Sequence, residues 1–180
     1  MTALYHYAHR HRLSFYYALI YLCTRGVDDV EAFRYVIRGS EVYRLNGRSP
    51  SFTDLSPGSD QFHIVTMPLA DSLERFCAQA REKSRTQTCF LDHSAESDGL
   101  IYFSCLPWVD LTALTNERDL TGPGAQDESI PHITWGKYVR EREKYTLGIS
   151  VEVNHRLIDG LHIGQFAQRL TELIQALPKA

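Results

Sequence analysis

The chain has 180 residues, enough for one domain with a full core. Its 43% hydrophobic and 23% charged residues are ordinary for a soluble globular protein, and a net charge of −3 gives no reason to expect nucleic acid or an anionic membrane as partner. No apolar run reaches membrane-spanning length, no leader pattern opens the chain, and Cys23, Cys77, Cys89 and Cys105 show neither a C-x-x-C pair nor zinc spacing. A reducing cytoplasm is therefore the expected setting, with Cys23 and Cys105 as small buried hydrophobes in apolar runs.

In chain order, residues 2–25 read as one helix with Leu4, Ala8, Phe15, Leu19, Ile20 and Cys23 on its apolar face. His6, His9 and His11 cluster on it without an acidic or cysteine ligand, which fits a solvated helix face better than a metal site. Asp28 or Asp29 can cap a second helix, with Val30, Phe33 and Ile37 inward and Gly39 as its stop. Strands are expected at 42–45 and 51–55 around the hairpin signal Asn46-Gly47, and again at 61–66 after Pro57-Gly58. Pro68 opens a helix to about Ser84 with Leu69, Leu73, Phe76 and Ala80 inward, and residues 83–99 are mostly connection.

Residues 100–106 form a strongly apolar strand that carries Ser104 and ends at Pro107. A loop follows from Trp108 to Asp127, with Gly122-Pro123-Gly124 at its tip, then a strand over 130–139 and a charged turn over 140–144. A long last strand alternates Leu147, Ile149, Val151, Val153 and His155 on one side with Gly148, Ser150, Glu152 and Asn154 on the other. His155 therefore falls on the buried face at the strand end. Asp159-Gly160 breaks the strand, and Ile163, Phe166, Leu170, Leu173, Ile174 and Leu177 trace a final helix. A histidine at a strand end, neutral at pH 7, suits a general base; its bland counterpart is a core histidine satisfied by hydrogen bonds. The pattern is a single α+β unit with antiparallel connections.

Four segments make the sequence resemble the chloramphenicol acetyltransferase family. They are 15–22 (Phe-Tyr-Tyr-Ala-Leu-Ile-Tyr-Leu); Phe52-Thr53 leading to Phe62; Ser104-Cys105-Leu106-Pro107-Trp108; and the pair 134–138 (Thr-Trp-Gly-Lys-Tyr) and 154–162 (Asn-His-Arg-Leu-Ile-Asp-Gly-Leu-His). The resemblance implies a two-layer sandwich, with a mixed, mostly antiparallel sheet and helices on one face. It also implies a homotrimer with active sites between subunits, acetyl-CoA as co-substrate, no metal, and a small hydroxyl acceptor, chloramphenicol being one candidate.

Carried over by position, His155 is the general base, Ser104 the donor to the tetrahedral oxyanion, and Thr134 the holder of a nearby water. Asp159 is a structural aspartate paired with an arginine, or, on its own residue chemistry, a helix N-cap. Trp108, Lys137 and Tyr138 line the CoA channel, and Phe62 the acceptor pocket. Asn154 stands where many members have another histidine. Met1-Thr2-Ala3-Leu4 aligns with the family's first helix, so the strand, pocket wall and arginine that precede it in typical members are expected to be lacking from residues 1–180. Two other readings fit less of the pattern. One is a dihydrolipoyl acyltransferase catalytic domain, close in wording at residues 155–160 but without a lipoyl domain or linker. The other is an inactive trimeric binding module.

Overall fold

The computed structural model describes residues 1–56, 58, 60–117, 122 and 128–178. Helices α1 (Thr2–Arg10), α2 (Phe15–Asp28), α3 (Leu73–Thr86) and α4 (Gly160–Gln175) accompany strands β1 (Tyr35–Arg38), β2 (Glu41–Arg44), β3 (Ser49–Leu55), β4 (Phe62–Thr66), β5 (Leu100–Leu106), β6 (His132–Gly136), β7 (Val139–Glu141), β8 (Lys144–Thr146) and β9 (Ile149–Glu152). The central sheet runs β4-β3-β5-β6-β9; β1-β2 and β7-β8 are separate ribbons. Among the described strands, β3-β5 and β5-β6 pair in parallel and the other four pairings are antiparallel, which is the mixed α+β sheet the sequence implied.

The two faces of the central sheet differ because side chains alternate along each strand. Phe52, Val65, Ile101, Phe103, Ile133 and Trp135 are all buried and join one core with α2 and α4. α2 is buried nearly all round, from Tyr17 to Val27, because α1, α3, α4 and the sheet enclose it. Among the described residues the opposite face carries no helix, and it is polar. One row across it is Ser51, Tyr102, His132 and Glu152; the next is Ser104, Thr134 and Ser150.

Four expectations about elements need correction. The helix over 2–25 is broken: Arg12 has φ 55°, and Ser14 caps α2 by accepting the Tyr17 N–H, so the apolar face was read correctly but runs across two helices. The helix after Asp28 is a single 3-10 turn (Glu31–Arg34) leading into β1. Val30, Phe33 and Ile37 are buried as expected, yet the carbonyls a helix would have used are taken by Arg48. Its guanidinium donates to the carbonyls of Phe33, Tyr35, Asp98, Leu100 and Ser129, while Asp28 accepts the Arg48 N–H at 2.9 Å instead of capping. Asn46-Gly47 joins no hairpin, since β2 pairs with β1 and β3 with β4 and β5. α3 also starts later than Pro68, at the N-cap Ser72, with Leu73, Phe76 and Ala80 inward. Pro57, Pro123 and Gly124 lie outside the described residues.

Candidate active site

Ser104 sits near the carboxyl end of β5, directly across from Thr134 on β6. It lines two hollows. A cleft of about 500 Å³ at the carboxyl ends of β3 and β5 is walled by Tyr16, Thr53, Asp54, Phe62, Cys105 and Trp108, with Leu55, Asp60 and Pro107 completing it. A smaller hollow of about 280 Å³ on the open sheet face joins Ser104 to Thr134, Ser51, Tyr102, Asn116 and His132. Thr134 is only 2% exposed, so its hydroxyl belongs to this dry row.

Trp108 (74% exposed) and Phe62 (49% exposed) are large rings open to solvent on the cleft that holds Ser104. Such exposure of aromatic area is what a ligand surface leaves. Trp108 owes its position to a loop that crosses the open face. Lys137 donates its N–H to Val109 at 2.7 Å, and Ser150 Oγ donates to Leu114 at 2.7 Å. Asn116 bonds Glu152 through both its N–H and its side-chain amide. Gly136 and Gly148 permit this crossing. A Cβ on Gly136 would stand 2.4 Å from the Val109 carbonyl oxygen, and one on Gly148 2.1 Å from that of Leu111.

Lys137 and Tyr138 are not on the walls of the Ser104 cleft. Lys137 is exposed, and Tyr138 packs against Tyr5, Phe15 and Tyr145, where α1 meets β8.

His155 corrects the reading of the last strand. β9 ends at Glu152, and His155 is exposed in a turn rather than carried inward by the alternation. Asn154 builds that turn. Its amide donates to Glu128 at 2.8 Å, its Oδ1 accepts the Arg156 N–H, and its carbonyl accepts from Leu157 and Ile158. An asparagine side chain that binds its own downstream backbone closes a tight turn and ends the ladder. Ile158 then anchors the chain in the core before Asp159.

Asp159 is the N-cap of α4, accepting the N–H groups of Leu161 and His162. His162 Nδ1 accepts the Asp159 N–H at 3.1 Å and completes a capping box. A lone pair that faces a backbone N–H cannot also carry the proton of an ion pair. The 3.1 Å approach of this nitrogen to Asp159 Oδ1 is therefore part of the box, not a salt bridge. The His162 and Leu161 N–H bonds hold the Asp159 carboxyl below the usual range.

A family model described as "Chloramphenicol acetyltransferase" matches residues 1–171. The chain belongs to the chloramphenicol acetyltransferase family. Family membership makes it a CoA-dependent acyltransferase. It is 26% identical to chloramphenicol acetyltransferase 3 of Escherichia coli over 162 residues, spanning 88% of this chain and 74% of that one. Against the chloramphenicol acetyltransferase of Clostridium perfringens it is 29% identical over 168 residues, 89% and 74% of the two chains. A solved chloramphenicol acetyltransferase shares the fold with a TM-score of 0.81 at 18% identity, over 96% of this chain and 83% of that one. The dihydrolipoamide acetyltransferase of Azotobacter vinelandii is more distant, with a TM-score of 0.64 at 19% identity over 92% and 70%.

Sequence reasoning missed several groups that wall the cleft of this acetyltransferase-family chain. Tyr16 donates to the Thr53 carbonyl at 2.6 Å, which ties the start of α2 to the end of β3. Asp54 accepts from the Tyr17 hydroxyl and, at 2.9 Å, from the Leu55 N–H. Cys105 is half-buried beside Ser104 rather than fully inside, and burial pushes its thiol up to about 11, so it stays protonated at neutral pH. The paired tyrosines at a helix start and an aspartate ending a strand were visible signals, but each has an ordinary structural use. A larger groove of about 660 Å³ between the Glu31–Arg34 turn and α4 holds the Arg169–Asp29 ion pair and none of the expected site residues.

Proposed function

We propose that the protein transfers an acetyl group from acetyl-CoA to a hydroxyl of a small acceptor, with His155 of one subunit serving the Ser104 cleft of its neighbour in a homotrimer. His155 removes the acceptor hydroxyl proton as the oxygen attacks the thioester carbonyl. The negative oxygen that forms accepts a hydrogen bond from Ser104, with Thr134 orienting a water beside it. Collapse breaks the C–S bond, and the CoA thiolate takes back the proton held by the imidazolium. Trp108 offers a face for CoA and Phe62 one for the acceptor, and Lys137 and Tyr138 would meet the CoA nucleotide outside the cleft walls.

The observation that carries this reading is the cleft itself: the Ser104 hydroxyl at the base of a hollow walled by exposed aromatic rings, in a chain of this family. The shared site is supported by strand register. Ser104 pairs with Thr134, whereas Glu152, three residues before His155, pairs with His132 on the far side of β6. Two residue steps and two strand spacings put Glu152 roughly 12 Å from Ser104, and His155 follows it in a turn beyond the strand. His155 is not among the lining residues of either hollow that holds Ser104, and a symmetric neighbour can bring the two together.

Subunit mixing tests this. His155→Ala and Ser104→Ala variants, each nearly inactive, are unfolded together and reassembled, and CoA release is followed with a panel of hydroxyl acceptors. Shared sites restore about a quarter of wild-type activity, because one random junction in four pairs an intact Ser104 with an intact His155. No recovery from the mixture sinks the shared site. No turnover by the folded wild-type trimer with any acceptor sinks the transferase reading. Acyl transfer to a dihydrolipoamide thiol in preference to hydroxyls favours the dihydrolipoyl alternative, which the fold likeness at a TM-score of 0.64 keeps in view.

A further inference from the structure

We infer that the acceptor is a cationic amino alcohol whose ammonium group is held by Asp54; this rests on the Ser104 cleft being the acceptor site. The cleft presents two carboxylates, Asp54 and Asp60, and among its described lining residues there is no Lys, Arg or His. Asp54 is half-buried at the end of β3. Two neutral donors, the Tyr17 hydroxyl and the Leu55 N–H, fix its charge in place. Tyr17 does not compete for that charge, since burial and the bond to Asp54 hold its phenol protonated.

The remaining walls suit the same ligand. Tyr16, Phe62 and Trp108 supply ring faces, which favour an ammonium or the apolar body that carries it. A carboxylate and several rings share a hollow of about 500 Å³ with Ser104, so the cleft selects charge at one end of the acceptor and presents its hydroxyl at the other. An anionic acceptor would meet two like charges with no compensating cation on these walls. Asp60 is exposed at the mouth and adds attraction on approach rather than a fixed contact.

The test uses three compounds with one skeleton and one benzylic hydroxyl: 2-amino-1-phenylethanol, 1-phenylethane-1,2-diol and mandelate, which are cationic, neutral and anionic at pH 7.5. Equilibrium dialysis measures binding to the full protein, and CoA release measures transfer. The amine is expected to bind about tenfold more tightly than the diol at low salt, with mandelate weakest. Asp54→Asn, checked for an unchanged melting curve, should remove most of that preference while diol binding stays within about twofold. Asp60→Asn should reduce it less and mainly at low salt.

Equal binding of amine and diol, or a preference that survives Asp54→Asn, overturns the inference. If the diol is acetylated as well as the amine, the substrate class is wrong and the transferase reading stands. If the amine is bound through Asp54 but neither compound is acetylated, the cation site stands and the transferase reading falls.

Discussion

Ser104 and Thr134 face each other across the parallel ladder of β5 and β6, on the sheet side opposite the helices α2 and α4. The helix side of the same strands is packed with Phe103, Ile133 and Trp135. The two hydroxyls therefore sit on a rigid floor, held by backbone bonds on both sides, and share one hollow under the crossing loop. A donor so fixed costs little reorganisation when charge develops.

This predicts that Ser104→Ala lowers kcat by about 10²–10³-fold and leaves KM for acetyl-CoA within a few fold. Steady-state kinetics on a variant with an unchanged circular dichroism spectrum is the check. A KM effect with normal kcat would mean that Ser104 only binds.

Arg48 is 3% exposed and its guanidinium serves five backbone carbonyls, and burial pulls its pKa down only to about 10, so it stays charged at neutral pH. Arg48→Met should cost about 3 kcal/mol or more, because the carbonyls lose their donors together. Arg48→Lys should recover little of it, since an ammonium has three donors and no fork. Urea midpoints measure both.

Gly148→Ala places a methyl on the Leu111 carbonyl, so the crossing loop has to lift. The expected result is a loss of about 1–3 kcal/mol in stability and a raised KM for acetyl-CoA, because Trp108 hangs on that loop. A variant with wild-type stability and KM would show that the loop packs elsewhere.

The Asp159 carboxyl is held below its ordinary pKa by the α4 N–H groups, so its folded form binds protons less readily than its unfolded form. Its contribution is present above the ordinary carboxylate pKa and is lost as pH falls through the depressed folded value. Asp159→Ala should lower the melting temperature by a few degrees at pH 7 and by less in acid. Asp159→Asn should keep most of the cap and lose that pH dependence. Melting curves from pH 7 to pH 3 decide it.

Local chemistry made much of this legible. The apolar sequence of β5 gave a strand with the bounds observed, Leu100–Leu106. The periodicity of α4 identified Phe166, Leu170 and Ile174 as its buried face, and Asp159 as its cap. Alternation misled at His155, because the Asn154 side chain ends the strand early and no hydropathy pattern registers that bond. It misled again at residues 31–38, where a guanidinium more than ten residues away claims the carbonyls that a helix needs.

The amino-acid order alone fixed which side chains are apolar, how they alternate and which short motifs they spell, since those depend on neighbours a few residues apart. Only the tertiary structure decided that Asp54 and Tyr16 join Ser104 in one cleft, that Lys137 and Tyr138 lie off its walls, and that His155 sits exposed in a turn beyond β9. Those outcomes depend on strand order and register, and these are set by how the whole core packs.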